Sequence, residues 1–280
     1  MYLVTGATGN VGHEVAELLL ATGKPVRVFT RDESKVSHLT ERVEIAKGDM
    51  TDPASFAKAA DGTEGIFLMN GVLDPNAFRQ IVAAVKAQGS PRIVFLSTLF
   101  AADPDSPIGQ VHKDKEDVLL ASSLHVSFVR AGNFMTNTFQ WLDSMKTQGL
   151  VFNAMGSGRT APIAPEDIAA VATYALTHPE KSGQIYEVTG GELLTLPQQV
   201  AILSRVLGKP VSTKEITPAQ ASENLLAAGF PPFVAAAVSR SYADIGSGKM
   251  DFVRDTVEHV KKAAPVTYEA WVAQNASRLV

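Results

Sequence analysis

Short apolar runs recur along the first half of the chain, with amphipathic stretches between them. Leu3-Val4-Thr5 leads into a segment where Val11, Val15, Leu18 and Leu19 recur at three- and four-residue spacing. That spacing predicts a strand followed by a helix, which stops at Gly23 before Pro25. Residues 25–29, 43–46, 65–69, 92–96 and 126–129 are further runs rich in Val, Ile, Leu and Phe. Helical patterns lie between several of them, over 52–60 with Asp52 as cap and Pro53 in the first turn, over 76–88 ending at Gly89, and over 109–122. Strands that are apolar throughout and joined by helices predict an α/β fold, a doubly wound parallel sheet covered on both faces. After Arg130 the rhythm changes: 164–176 and 196–207 read as helices, 184–188 and 211–216 as strands, and helical patterns dominate from Thr217 on. The expectation is a core over residues 1–150 and a smaller, mostly helical lobe over 151–280, its elements interleaved with the core.

Gly6-Ala7-Thr8-Gly9-Asn10-Val11-Gly12 lies between the first strand and the first helix. A phosphate-binding turn needs glycine where the backbone turns tightly, where it approaches a pyrophosphate and where helix packs on strand, and the helix start supplies free N–H donors. Gly6, Thr8, Gly9, Asn10, Val11 and Gly12 are therefore candidate dinucleotide-binding residues in a Rossmann-type core, although such a turn can also simply join strand to helix. The second strand ends at Phe29-Thr30-Arg31. An NAD site would carry a carboxylate there, whereas Arg31 offers a planar fork suited to the 2′-phosphate of NADP. The alternative is a surface arginine held by Asp32 and Glu33. Asp49 and Met50 follow the third strand, and Met69, Asn70 and Gly71 the fourth. These turns are expected to border the adenosine, because a ligand of a doubly wound sheet sits outside the carboxyl ends of its strands.

Composition narrows the classes. Of 280 residues 45% are hydrophobic and 19% charged, the balance of a water-soluble globular chain. The absence of cysteine removes disulfides, thiolate chemistry and Cys-ligated metal centres, and fits a reducing, cytoplasmic setting. With 25 Lys and Arg against 29 Asp and Glu, no basic excess points to nucleic acid. Met1-Tyr2-Leu3-Val4 enters a strand directly, without the pattern of an export signal, and no apolar stretch is long enough to span a membrane. Apart from His112, the other five of the six histidines show no metal-binding spacing, so no metal site is expected. A small molecule is the expected partner, and the oligomeric state, a homodimer included, is left open.

The glycine turn, Thr30-Arg31, Gly48-Asp49, Phe95-Leu96-Ser97-Thr98, Lys115 and the stretch from Phe128 through Arg130-Ala131-Gly132-Asn133-Phe134 to Asn137, with Gly158 and Asp167-Ile168-Ala169-Ala170 beyond it, resemble the short-chain dehydrogenase/reductase superfamily. Within it, the chain is similar to the atypical NmrA-like group, which includes NADPH-dependent quinone and azo reductases. The resemblance covers most of the chain. It implies NADP(H) as cofactor, Asn133 and Phe134 beside the nicotinamide, Lys115 on the ribose, and Ser97 and Thr98 where the superfamily has its catalytic serine. Lys115, Ser97 and Thr98 are thus the candidate catalytic residues, with an exposed helical lysine the alternative for Lys115. The chain departs from the superfamily's Tyr-x-x-x-Lys pair, because Val111 stands four before Lys115. His112 is a possible replacement acid, but neighbours on a helix point about 100° apart, and a solvated or structural histidine is the alternative. Phe134, Met135 and Phe139, with Trp141 and Met145, either wall an apolar substrate pocket or belong to the core. Quinone and azo acceptors tolerate the missing phenol, since their reduced forms collect a proton from water. The resulting expectation is an NADPH-dependent reductase of small, electrophilic, aromatic acceptors. The alternative is a non-catalytic NADP(H) sensor that regulates a partner protein.

Overall fold

The computed structural model describes residues 1–72, 74–89 and 91–280. Its first half contains β1 (Tyr2–Thr5), α1 (Asn10–Ala21), β2 (Val26–Thr30), β3 (Glu44–Lys47), α2 (Pro53–Ala60), β4 (Gly65–Leu68), α3 (Pro75–Ala87), β5 (Arg92–Thr98), α4 (Pro107–Ala121) and β6 (Val126–Ala131). The local chemistry sets the helix starts: Asp52 accepts from the Ala54 N–H and Asp74 from the Asn76 N–H, each with proline in the first turn. β1, β4 and β6 are buried at every position, as continuous apolar runs require, while β3 is exposed at both ends and occupies the sheet edge. The second half contains α5 (Leu142–Gln148), β7 (Leu150–Asn153), β8 (Arg159–Thr160), α6 (Pro165–Thr177), β9 (Ile185–Val188), β10 (Leu194–Thr195), α7 (Leu196–Leu207), β11 (Ser212–Glu215), α8 (Pro218–Ala227), α9 (Pro232–Gly246), α10 (Thr256–Lys261), α11 (Tyr268–Gln274) and α12 (Ala276–Leu279).

Seven strands form one sheet in the order β3-β2-β1-β4-β5-β6-β9. The pairs from β3 to β6 are parallel, with Val4 opposite both Val28 and Phe67. Hydrogen bonds from Phe128 N to Gln184 O and from Gly132 N to Val188 O advance together along both chains, the register of a further parallel strand. The order reverses between β1 and β4, and this switch point opens a crevice beyond the strands' carboxyl ends. Thr5 spans it, donating to Phe67 O at 3.0 Å and accepting from Met69 N at 2.8 Å.

The chain divides into two compact units: Met1–Ala102, Val111–Ala131 and Pro165–Glu187 form the first, and Asp103–Gln110, Gly132–Ala164 and Val188–Val280 the second. The boundary expected at 150 is therefore corrected. The chain leaves the core at Gly132, and α6 with most of β9 returns to it. The reason is burial: Ile168, Ala169, Val171, Ala172 and Leu176 of α6 are fully or almost fully enclosed, and the Leu176 carbonyl accepts from Arg92 Nε at 3.2 Å. The core of the second unit gathers Met135, Leu203, Tyr268, Trp271 and Val272. Among the described residues no helix is long and apolar enough to cross a membrane, and no group of three acidic or imidazole side chains could hold a metal ion.

Candidate active site

In the first unit, β1 runs into a glycine cradle at the switch point. Gly6 has φ +69°, and its carbonyl accepts from Gly9 N at 2.8 Å. A Cβ on Gly12 would lie 2.3 Å from the Gly6 oxygen, so only glycine lets α1 pack this closely on the turn. Gly9 caps α1 in an extended conformation without a side-chain acceptor, unlike the Asp52 and Asp74 caps of α2 and α3. No acidic residue lies in the first turn of α1, and Thr8, Gly9 and Asn10 are exposed. The uncapped N–H groups therefore remain available to an anion, which is the donor set a dinucleotide pyrophosphate needs. Val11 is 2% exposed, so it contributes its N–H and not its side chain.

The turns after β2, β3 and β4 lie around this cradle. Thr30 Oγ1 accepts from Asp32 N at 3.1 Å, and Asp32 Oδ1 accepts from both Ser34 N and Ser34 Oγ. Those bonds hold the Asp32 carboxyl below its ordinary pKa and occupy it locally. The Arg31 side chain is 80% exposed, and its ion pair is with Asp49, at 3.9 Å, rather than with Asp32 or Glu33. So loose and exposed a pair leaves Arg31 open to recruitment by a phosphate. Asp49 Oδ1 accepts twice from Thr51, by the backbone and then the hydroxyl, which lowers its pKa; Oδ2 faces Arg31. Met69 Cγ lies 2.6 Å from where a Gly6 Cβ would stand and Met50 Sδ 3.2 Å from the corresponding point on Gly71, so both thioethers border the crevice.

α4 supplies the remaining polar group of this unit. Lys115 is 3% exposed, which excludes the exposed-lysine alternative. Its Nζ donates to Asn70 Oδ1, and Asn70 Nδ2 lies 2.9 Å from His112 Nε2. With its oxygen taken by the ammonium, Asn70 donates to the imidazole, and the His112 proton sits on Nδ1, buried and without a partner among the described residues. Burial lowers the Lys115 pKa to about 8, and burial with the nearby ammonium lowers that of His112 to about 4. At neutral pH His112 is uncharged and accepts at Nε2, so there is no imidazolium proton for it to give as an acid. Val111 is 40% exposed and leaves the position four before Lys115 without a phenol.

Ser97 is corrected from the candidate catalytic set. Side chains alternate along a strand, so Ser97 and Thr98 cannot face the same way. Ser97 is 3% exposed and donates to Glu116 Oε1 at 2.6 Å, inside a buried network in which Arg130 grips both oxygens of Glu116. Thr98 is only half-buried, and its hydroxyl accepts from Phe100 N.

In the second unit, Asn133 and Phe134 follow β6 and are pinned by the backbone of Ile163, which donates to Asn133 O at 2.8 Å and accepts from Met135 N at 2.9 Å. Asn133 and Phe134 line a pocket with Trp141, Phe152, Gln199 and Tyr242. Met135 and Phe139 do not, and their placement in a substrate pocket is corrected: Met135 is 1% exposed within the core, and the Phe139 ring packs edge-on to Trp271 at 5.5 Å beneath the Arg278 guanidinium. The 3-10 turn Met135–Trp141 decides this, directing Met135 inward and Phe139 toward α11. Gln199 and Tyr242 carried no motif in the sequence, because they reach the pocket from α7 and α9 by tertiary packing.

A profile of the NmrA-like family matches residues 2–267. A (4-alkanoyl-5-oxo-2,5-dihydrofuran-3-yl)methyl phosphate reductase of Streptomyces griseus is 34% identical over 279 residues, covering 99% of this chain and 98% of its own. An NAD(P)H azoreductase of Xenophilus azovorans is 31% identical over 282 residues, with the same two coverages. The solved structure of an NADPH-dependent quinone oxidoreductase from Escherichia coli, complexed with NADPH, superimposes with a TM-score of 0.85 at 25% identity, covering 100% of this chain and 99% of that one.

Proposed function

This chain belongs to the NmrA-like family and is an NAD(P)H-dependent reductase, and from that premise we propose that it uses NADPH to reduce a small, electrophilic, aromatic acceptor such as a quinone or an azo compound. The observation that carries this reading is the α4 site: a buried Lys115 paired with Asn70, next to a neutral His112, and no phenol. An ordinary ketone needs an acid there, worth roughly 10²–10⁴-fold in rate, whereas a quinone or azo group does not.

When bound, NADPH supplies the hydride. The chain's own residues bind and orient. The N–H groups of the cradle from Thr8 to Gly12 hold the pyrophosphate, Arg31 the 2′-phosphate, and the turns at Asp49–Met50 and Met69–Gly71 border the adenosine. Lys115, kept in place by Asn70, donates to the ribose of the nicotinamide half, and Thr98 closes the strand end. The family resemblance assigns Asn133 and Phe134 to the nicotinamide ring. Proton delivery is left to water. NADPH oxidation followed optically against quinones, azo dyes and simple ketones tests the reading: turnover is expected with the first two groups and is absent or very slow with ketones. Ketone reduction at rates comparable to quinones would overturn it.

A further inference from the structure

The pocket that Phe134 enters has a wall built from two helices far apart in the chain. α7 brings Gln199 and α9 brings Tyr242. Gln199 is 6% exposed, yet its amide has no hydrogen-bond partner among the described residues, and the same holds for the Tyr242 hydroxyl. The Gln199 amide atoms are not among the fully buried unpaired ones, so they open into the pocket, where a ligand's oxygen can take the place of water on them. Nothing in the pocket can balance a charge: its lining is aromatic, aliphatic, thioether, amide or hydroxyl, without a single ionisable group other than the phenol. Burial raises the phenol's pKa, so it is a hydrogen-bond donor throughout the neutral range.

We propose that Gln199 and Tyr242 are the specificity-determining pair of this pocket, donating hydrogen bonds from the amide N–H and the hydroxyl to an oxygen of a flat, uncharged acceptor, and that the pocket rejects acceptors carrying a sulfonate or phosphate. The inference rests on the reductase reading and names the class of acceptor within it. A quinone presents a carbonyl oxygen in the plane of a ring, which suits a pocket whose lining joins two hydrogen-bond donors, Gln199 and Tyr242, to the rings of Phe134 and Trp141. An anionic substituent in the same place would be stripped of water with no cation to receive it. Both groups donate and keep their protons, so the pair recognises the acceptor without taking part in proton transfer.

The test uses the full chain saturated with NADP⁺, which carries no hydride, titrated with 1,4-naphthoquinone and with 1,4-naphthoquinone-2-sulfonate. Trp141 lines the pocket while the other tryptophan, Trp271, is buried, so quenching of tryptophan fluorescence reports occupancy. No cysteine is present for a quinone to alkylate. Saturable quenching by naphthoquinone is expected, with the sulfonate binding at least about tenfold more weakly. Gln199→Leu and Tyr242→Phe should each weaken naphthoquinone about three- to tenfold, the effect of one hydrogen bond, and raise its KM while the KM for NADPH stays constant. Thermal melts of both variants without ligand show at once that each folds. Equal binding of the two quinones, wild-type affinity in both variants, or no naphthoquinone binding overturns the proposal. If the binding pattern is as expected but no acceptor is turned over with NADPH, the pair stands and the reductase reading fails.

Discussion

At the residue scale, the proposed choice of NADPH over NADH rests on Arg31. Its guanidinium is exposed and its one carboxylate partner among the described residues is 3.9 Å away, while Asp32, which could have served the ribose hydroxyls of NAD, is bound to Ser34. Arg31→Ala should weaken NADPH by about 1.5–3 kcal/mol, or about 10- to 150-fold, and leave NADH unchanged. Equal losses in titrations of both nucleotides would refute the assignment. Lys115 makes a second prediction, with a definite sign. Its pKa is about 8 in the folded chain and 10.5 when solvated, so below pH 8 both states carry the proton and the burial cost is fully present. Between pH 8 and 10.5 the unfolded chain still binds a proton that the folded chain has released, and stability rises with pH. In Lys115→Met that contribution, at most about 3 kcal/mol, disappears. Urea denaturation at several pH values checks it: the wild-type advantage should grow relative to the variant above pH 8, and parallel curves would mean that the ammonium is not buried.

At the scale of elements, the cradle depends on how closely α1 approaches β1. A Cβ at Gly12 meets the Gly6 carbonyl at 2.3 Å and the Thr5 carbonyl at 2.8 Å, both rigid backbone, whereas one at Gly9 meets only Gly6 O at 3.3 Å. Gly12→Ala should therefore destabilise the ligand-free chain by about 1–3 kcal/mol, as overpacking does, and abolish stabilisation by NADPH. Gly9→Ala should leave the ligand-free melting temperature nearly intact and reduce only the nucleotide's effect. Thermal melts with and without NADPH separate the two; a Gly12→Ala chain that melts like wild type would show that α1 can move aside. The same scale explains Ser97. Consecutive positions of β5 face opposite ways, and the inward one meets the Glu116–Arg130 pair on α4 and β6.

For the whole molecule, the first unit is assembled from three stretches of chain, the last of them α6 and the start of β9. α6 buries a nearly continuous apolar surface, and Leu176 lies 3.2 Å from the Cβ position of Gly65 on β4. A fragment ending at residue 150 lacks both α6 and the seventh strand. It should show no cooperative thermal transition by circular dichroism, because the apolar face beneath α6 is left in water. A sharp, native-like melt of that fragment would show that the core is complete without its returning segment.

Read alone, the amino-acid sequence determined the local structure: the β–α alternation, the cap at Asp52, the glycine cradle from Gly6 to Gly12 and Arg31 at the end of β2. These depend on backbone dihedrals, capping and periodicity within a few residues, so the information is present where the structure forms. Tertiary structure alone decided which side chains meet. Lys115 and Asn70 are 45 residues apart and pair across separate elements. Phe134, Gln199 and Tyr242 share a pocket although no spacing links them, and Met135 and Phe139 turn into the core despite sitting beside Phe134 in the chain. Such partnerships arise from packing over long separations, where burial, and not any local propensity, selects the neighbour.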